Sequence, residues 1–196
     1  HRDLHSFPTR RSSDLNEDFF MIKAKETKTI FLDQNPGVIT HIWMTMRSTG
    51  AEQAYYRKVV LACYWDHEEH PSVLTPIGDF FGMGHGITKD FTSEPLQMSP
   101  DQGRGFNSWW PMPYEKEGRI DVINECESDL VLYFYVDYEK MDALPQDTLR
   151  FHAQFKRECP TEGQSPTDFQ SRYDWLYKGV NRSEERRVGK ECRSRW

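Results

Sequence analysis

Asp66, His67, Glu68, Glu69 and His70 form one unbroken run inside Trp-Asp-His-Glu-Glu-His-Pro-Ser-Val, residues 65–73. Residues of these types can do several kinds of chemistry. Imidazole and carboxylate together suit zinc, iron or manganese, with His67, His70 and His85 as the ligands to consider. The spacing fits a metal poorly, because a site on a β-sandwich usually places its ligands two apart on one strand face. Alternatively, the acids form a polar rim: carboxylates accept sugar hydroxyls in pairs, and nearby rings offer apolar faces. The plainest reading is a strand end that runs into a solvated, charged loop. Spacing alone does not choose between these.

Two further stretches carry candidate groups. In Pro76-Ile-Gly-Asp-Phe-Phe-Gly-Met-Gly-His-Gly86, the glycines allow a turn-rich connection. No Gly-Lys-Ser/Thr follows, so it is not a phosphate-binding loop. Asp79, Phe80 and Phe81 are candidates to line a pocket there, and ordinary core packing explains the two rings equally well. Phe106-Asn-Ser-Trp-Trp-Pro-Met-Pro-Tyr114 packs four rings and two prolines into nine residues. It is expected to wall a cleft or to pack, but not to form a central strand. Asn107 and Trp109 are its candidate ligand contacts. His41 and Trp43 share a strand face by period two. Like His152, His41 is first of all a structural histidine. No Gly-x-Ser-x-Gly or other nucleophile motif is present.

These groups must be positioned by strands. Phe19–Ala24, Lys28–Leu32, Val38–Met46, Lys58–Trp65, Gly118–Asn124, Leu130–Tyr138 and Leu149–Arg157 are short apolar or alternating runs rich in β-branched and aromatic residues. Leu130–Tyr138 is dense enough to predict burial on both faces. Pro76–Gly82 predicts one turn of helix, and nothing predicts a helix longer than two turns. Many short strands with Pro, Gly and Asn turns imply an all-β fold, a jelly-roll β-sandwich. Glu158–Gln170 is polar and proline-containing, and reads as a linker.

The chain of 196 residues is 37% apolar and 14% aromatic, which supports a packed core. No apolar run is long enough to span a membrane as a helix. The four cysteines lack CxxC spacing, which speaks against disulfides and structural zinc. The two ends, residues 1–15 and 182–196, are basic and without periodicity. Back-translation of the second end yields a DNA sequence whose reverse complement, in a shifted frame, encodes the first. Both ends therefore read as translations of opposite strands of one sequencing adapter, non-native tails to be set aside. The native segment is then Asn16–Asn181, a fragment with 16 basic and 26 acidic residues, net −10. Nucleic-acid binding through basic ends loses its footing, because phosphate contacts need clustered Lys and Arg.

Gly37-Val-Ile-Thr-His-Ile-Trp-Met-Thr45, Tyr64–Val73, Pro76–Gly82, Phe106–Tyr114 and Phe151-His-Ala-Gln-Phe155, taken in order, resemble glycoside hydrolase family 172, formerly domain of unknown function 2961. The resemblance covers essentially all of Asn16–Asn181. It implies the first of two jelly rolls (residues 16–160), followed by a linker and the start of a second domain (161–181). It also implies a parent that assembles as a homotrimer or larger homo-oligomer and hydrolyses fructofuranoside or arabinofuranoside linkages with retention. Retention requires two carboxyl groups about 5–5.5 Å apart. The family's two glutamates lie in Gly-Glu-Gly-Asp-Glu and Gly-Thr-Gly-Thr-Glu-Asp-Tyr segments, neither of which occurs here. Neither Glu68 nor Glu69 is therefore assigned as catalyst. This chain alone is expected to be inactive and prone to associate through unpaired edges.

Asp66, Glu68, Glu69, Asp79, Phe80, Phe81, Asn107 and Trp109 are the expected carbohydrate contacts. No cofactor, metal, nucleic acid or membrane is implied, and cytoplasmic and exported settings are both open. The alternatives are a non-catalytic carbohydrate-binding or structural jelly roll, and a cupin-like metalloenzyme using His67, His70 and His85.

Overall fold

The computed structural model describes residues 19–157. The chain divides into two compact units, His1–Phe155 and Lys156–Trp196, and the fold below is that of the first. Both tails, the linker and Ser171–Asn181 lie outside the described residues.

Among the described residues twelve strands follow in chain order: β1 (Phe20–Ile22), β2 (Thr27–Asp33), β3 (Gly37–Ser48), β4 (Val59–Trp65), β5 (Val73–Pro76), β6 (Phe91–Thr92), β7 (Leu96–Met98), β8 (Phe106–Ser108), β9 (Met112–Tyr114), β10 (Gly118–Asn124), β11 (Leu130–Lys140) and β12 (Ala153–Gln154). One sheet runs β1-β11-β3-β8-β7-β6, with β9 also on β3; the other runs β12-β5-β4-β10-β2. The expected all-β architecture is thus present as two sheets. No helix among the described residues is long and apolar enough to cross a membrane. The single helical turn anticipated after Pro76 is α1 (Ile77–Phe80). Proline stands at its N-cap, before the first helical residue, where its missing N–H leaves no helical bond unmade.

Strand alternation builds the core. Ile42, Met44 and Met46 of β3 alternate with outward side chains, as do Leu61, Cys63 and Trp65 of β4. All six belong to one buried cluster with Ile120 and Val122 of β10 and Leu130 and Leu132 of β11. In β10, Val122 pairs with Leu61 and Ile120 with Cys63, which fixes the register of two buried strands. Cys63 and Cys126 are both free and buried, and burial raises the pKa of each thiol.

Three expectations are corrected. Phe106–Ser108 is a central strand between β3 and β7. The prolines that argued against it fall beyond its end, and Pro113 sits in β9, which among the described residues pairs with β3 alone. Leu130–Tyr138 is buried on both faces only at its start; Tyr133, Tyr135 and Asp137 face out. Of Leu149–Arg157, only Ala153–Gln154 pairs, parallel to β5. The alternation does not carry through the run: Leu149 is the most exposed large apolar side chain among the described residues.

Tyr114 fills one end of the sandwich. It is fully buried, stacks on Trp65 at 6.4 Å between centroids, and donates to Asp33 Oδ2 at 3.1 Å. Burial, with Asp33 beside it, holds the phenol protonated. A Cβ at Gly118 would come within 2.7 Å of this ring, and one at Gly37 within 2.6 Å of its hydroxyl. Glycine is required at both positions by the ring they flank. Gly118→Ala is expected to destabilise the fold by about 1–3 kcal/mol through overpacking. Urea unfolding should show a lower midpoint with the same slope.

Candidate functional site

The opening acidic run does not act as one cluster. Asp66 and His67 both adopt positive φ, 58° and 66°, so the chain turns sharply as it leaves β4. That turn aims the Asp66 carboxylate at two other segments. Oδ1 accepts the backbone amides of Glu115 (2.6 Å) and Lys116 (2.7 Å), and Oδ2 accepts Arg150 Nε at 2.6 Å. Burial is the largest single influence on the Asp66 pKa and works to raise it. The two amides and the Arg150 guanidinium together outweigh that, and the carboxyl lies below its ordinary value. Glu68 braces its own loop by accepting Ser72 Oγ at 2.6 Å. His67 Nδ1 lies 3.3 Å from Glu117 Oε2. Glu69 and His70 are exposed.

The Asp79 segment is a separate place. Arg57 Nη2 donates to Asp79 Oδ1 at 2.7 Å, while Asp79 Oδ2 and Arg57 Nε are buried without a hydrogen-bond partner. Phe80 and Phe81 meet edge to face at 5.0 Å. Both are buried, Phe81 completely, so their rings support the segment from within the core. Trp110 and Phe151 meet nearby at 5.7 Å in a tilted arrangement, with Phe151 also edge-on to Phe80.

Asn107 and Trp109 lie on the outward face of the larger sheet. Cross-strand pairing puts Gln97, Asn107, Trp43 and Tyr135 in one row over β7, β8, β3 and β11. In the neighbouring row, His41 lies opposite Asp137. A β-bulge makes this possible. Asp137 pairs with His41 and Tyr138 with Ile39, leaving Thr40 over. The extra residue shifts the inward set from odd to even positions, so Thr40 and His41 both face away from the core.

The His41 ring is then held on three sides. Nδ1 lies 2.9 Å from Asp137 Oδ2, Nε2 lies 3.2 Å from Asn107 Oδ1, and Trp109 stacks on its face at 5.1 Å and 15°. Asn107 Nδ2 donates to the Gln97 carbonyl at 3.4 Å. Trp43 and Tyr135 meet at 5.4 Å, and Tyr133 meets Phe19 at 5.8 Å. Tyr135 is 68% exposed and Trp109 41%. Sequence reasoning paired His41 with Trp43 but left Tyr135 and Asp137 out. Their signal was the alternation in Tyr-Phe-Tyr-Val-Asp, which marks one outward face once burial of the other is known.

Among the described residues, no three of His, Cys, Asp and Glu gather where they could hold a metal ion. What the fold does build is an all-β domain whose outer face joins exposed rings to fixed hydrogen-bonding groups. A family model described as GH172 domain-like matches residues 12–134, more than half of the chain. The chain belongs to glycoside hydrolase family 172. The curated proteins give no match.

The Asp66 contacts make a testable claim about stability. A carboxyl whose folded pKa is depressed contributes stability above its unfolded value, about 3.9. That contribution drains as pH falls through the lower folded pKa. Asp66→Asn is expected to cost about 1–3 kcal/mol at neutral pH by weakening three bonds at a part-buried site. The gap in urea midpoint between the natural chain and the variant should hold down to about pH 5 and close below about pH 4. A gap that persists unchanged in acid would contradict this role.

Proposed function

We propose that this chain is the first jelly roll of a retaining glycoside hydrolase that acts on fructofuranoside or arabinofuranoside linkages, and that it is inactive alone. The observation that carries the reading is the family match over residues 12–134. The two glutamate-bearing segments that resemblance leads one to expect are not in the sequence. In this reading the chain supplies scaffold and substrate contacts, and the attacking and proton-donating carboxyls come from sequence beyond it. The parent is a homotrimer or larger homo-oligomer.

Of the expected carbohydrate contacts, Asn107 and Trp109 have the best support, because each sits among other outward rings and polar groups. Glu69 is exposed at the rim of its loop. Glu68, Asp66 and Asp79 act by shaping the segments around them, through the bonds described above, and Phe80 and Phe81 by packing beneath them. A non-catalytic carbohydrate-binding module is the second reading, favoured by the outward aromatic face.

The purified chain is expected to release no sugar from difructose dianhydride or from p-nitrophenyl α-arabinofuranoside. A parent extended through both glutamate segments should turn over one of them with retention of anomeric configuration, followed by NMR. Turnover by this chain alone would overturn the assignment of catalysis to missing sequence.

A further inference from the structure

The outward face of the larger sheet carries Asn107 and Trp109, the best-supported contacts above, within a wider set of rings and polar groups. Its exposed rings stand among polar groups already fixed by one another: His41 between Asp137 and Asn107, with Trp109 stacked over it. Trp43 and Tyr135 form the adjoining row. Rows two residues apart along a strand are about 6.8 Å apart. Three rows, at the levels of His41, Trp43 and Thr45, therefore run about 14 Å along the sheet.

We propose that this strip is a saccharide-binding platform that takes two or three consecutive sugar residues of a neutral, extended glycan. The proposal rests on the carbohydrate reading above and adds the place and mode of contact. Trp43 and Tyr135 supply flat apolar surface for the C–H faces of one sugar ring, and the free side of Trp109 does so for the next. Asp137 is 54% exposed. A carboxylate with two oxygens keeps acceptor capacity for sugar hydroxyls beyond its bond to His41. Asn107 and His41 are held in place before any ligand arrives, so little side-chain entropy is lost on binding.

The same features select the occupant. The core of a protein–protein interface is depleted of charged groups, whereas here the half-exposed Asp137 carboxylate stands within the strip, in the row of His41. A net charge of −10 over Asn16–Asn181 disfavours polyanions. A hydroxyl-rich neutral chain matches both the rings and the acceptors.

The test is calorimetric titration of the full 196-residue chain with α-linked arabinofuranose oligomers, from the disaccharide to the pentasaccharide. Xylopyranose oligomers of the same lengths run in parallel. Each variant is first checked by near-ultraviolet circular dichroism for an unchanged fold. Saturable binding is expected, with affinity rising up to the trisaccharide and then level. Tyr135→Ala and Trp43→Ala should each weaken it about tenfold, and Asp137→Asn by a smaller factor. Trp110→Ala, on a different patch, should change nothing.

Binding of pyranose oligomers alone, lost in the same variants, would keep the platform and overturn the furanoside reading. Absence of binding to every oligomer would overturn the platform. So would binding that survives Tyr135→Ala and Trp43→Ala. A concentration-dependent dimer that Tyr135→Ala dissociates, in a chain that binds no sugar, would assign the face to a second copy instead.

Discussion

The architecture depends on a pair of adjacent residues, Trp65 and Asp66, that grip the Arg150–Phe151 stretch at neighbouring points. Trp65 points inward and donates Nε1–H to the Phe151 carbonyl at 2.8 Å. Asp66, one residue on, points outward and binds Arg150 and the amides of Glu115 and Lys116. Together they fasten the chain that follows β11 across the end of the smaller sheet. That lets the two-residue strand β12 add beside β5, a pairing too short to hold itself. The left-handed backbone at Asp66 and His67 is what turns the carboxylate to this task. Such a conformation is uncommon outside glycine and occurs more readily for Asp, Asn and His. A run that looks like a catalytic cluster by composition is therefore organised by its first member as a fastener.

Sequence periodicity revealed the fold class for a physical reason. The core-facing apolar side chains of β3, β4 and β10 recur at period two, and a one-residue slip would turn the whole set away from the core. It failed where that reason fails. Phe106–Ser108 is too short to show a period, and neighbouring prolines masked it. Leu130–Tyr138 changes from buried on both faces to buried on one, which no constant pattern describes. The sites were harder to read than the strands. Loop acids look alike in sequence whether they face solvent, brace a loop like Glu68 or fasten segments like Asp66.

The bulge at Thr40 shows why the outer face was only half legible. Without it, His41 and Ile39 would share a side by alternation, and His41 would fall on the inward side with Ile39. The inserted residue reverses the phase, which leaves Ile42, Met44 and Met46 inside and His41 and Trp43 outside. Asn107 and Asp137 then meet His41 from the two flanking strands. A histidine that sequence reasoning set aside as structural becomes the hub of the polar group on this face. Its partners come from residues 66 and 96 positions away, which local spacing cannot reveal.

Three carboxyls of this domain, Asp66, Asp129 and Glu52, are set by their partners to stay ionised. A glycosidase acid must hold its proton at working pH, which requires a pKa raised by burial or by a neighbouring negative charge. Where the carboxyls described here depart clearly from ordinary values, they depart downward: Asp66 toward Arg150 and two amides, Asp129 toward Lys23, Glu52 toward Lys58. Each is stabilised as an anion by a cation or an amide, the opposite of what a proton donor needs. Groups arranged this way close turns and join strands. In this domain such carboxylates serve the fold, as Asp66 does at the end of β4.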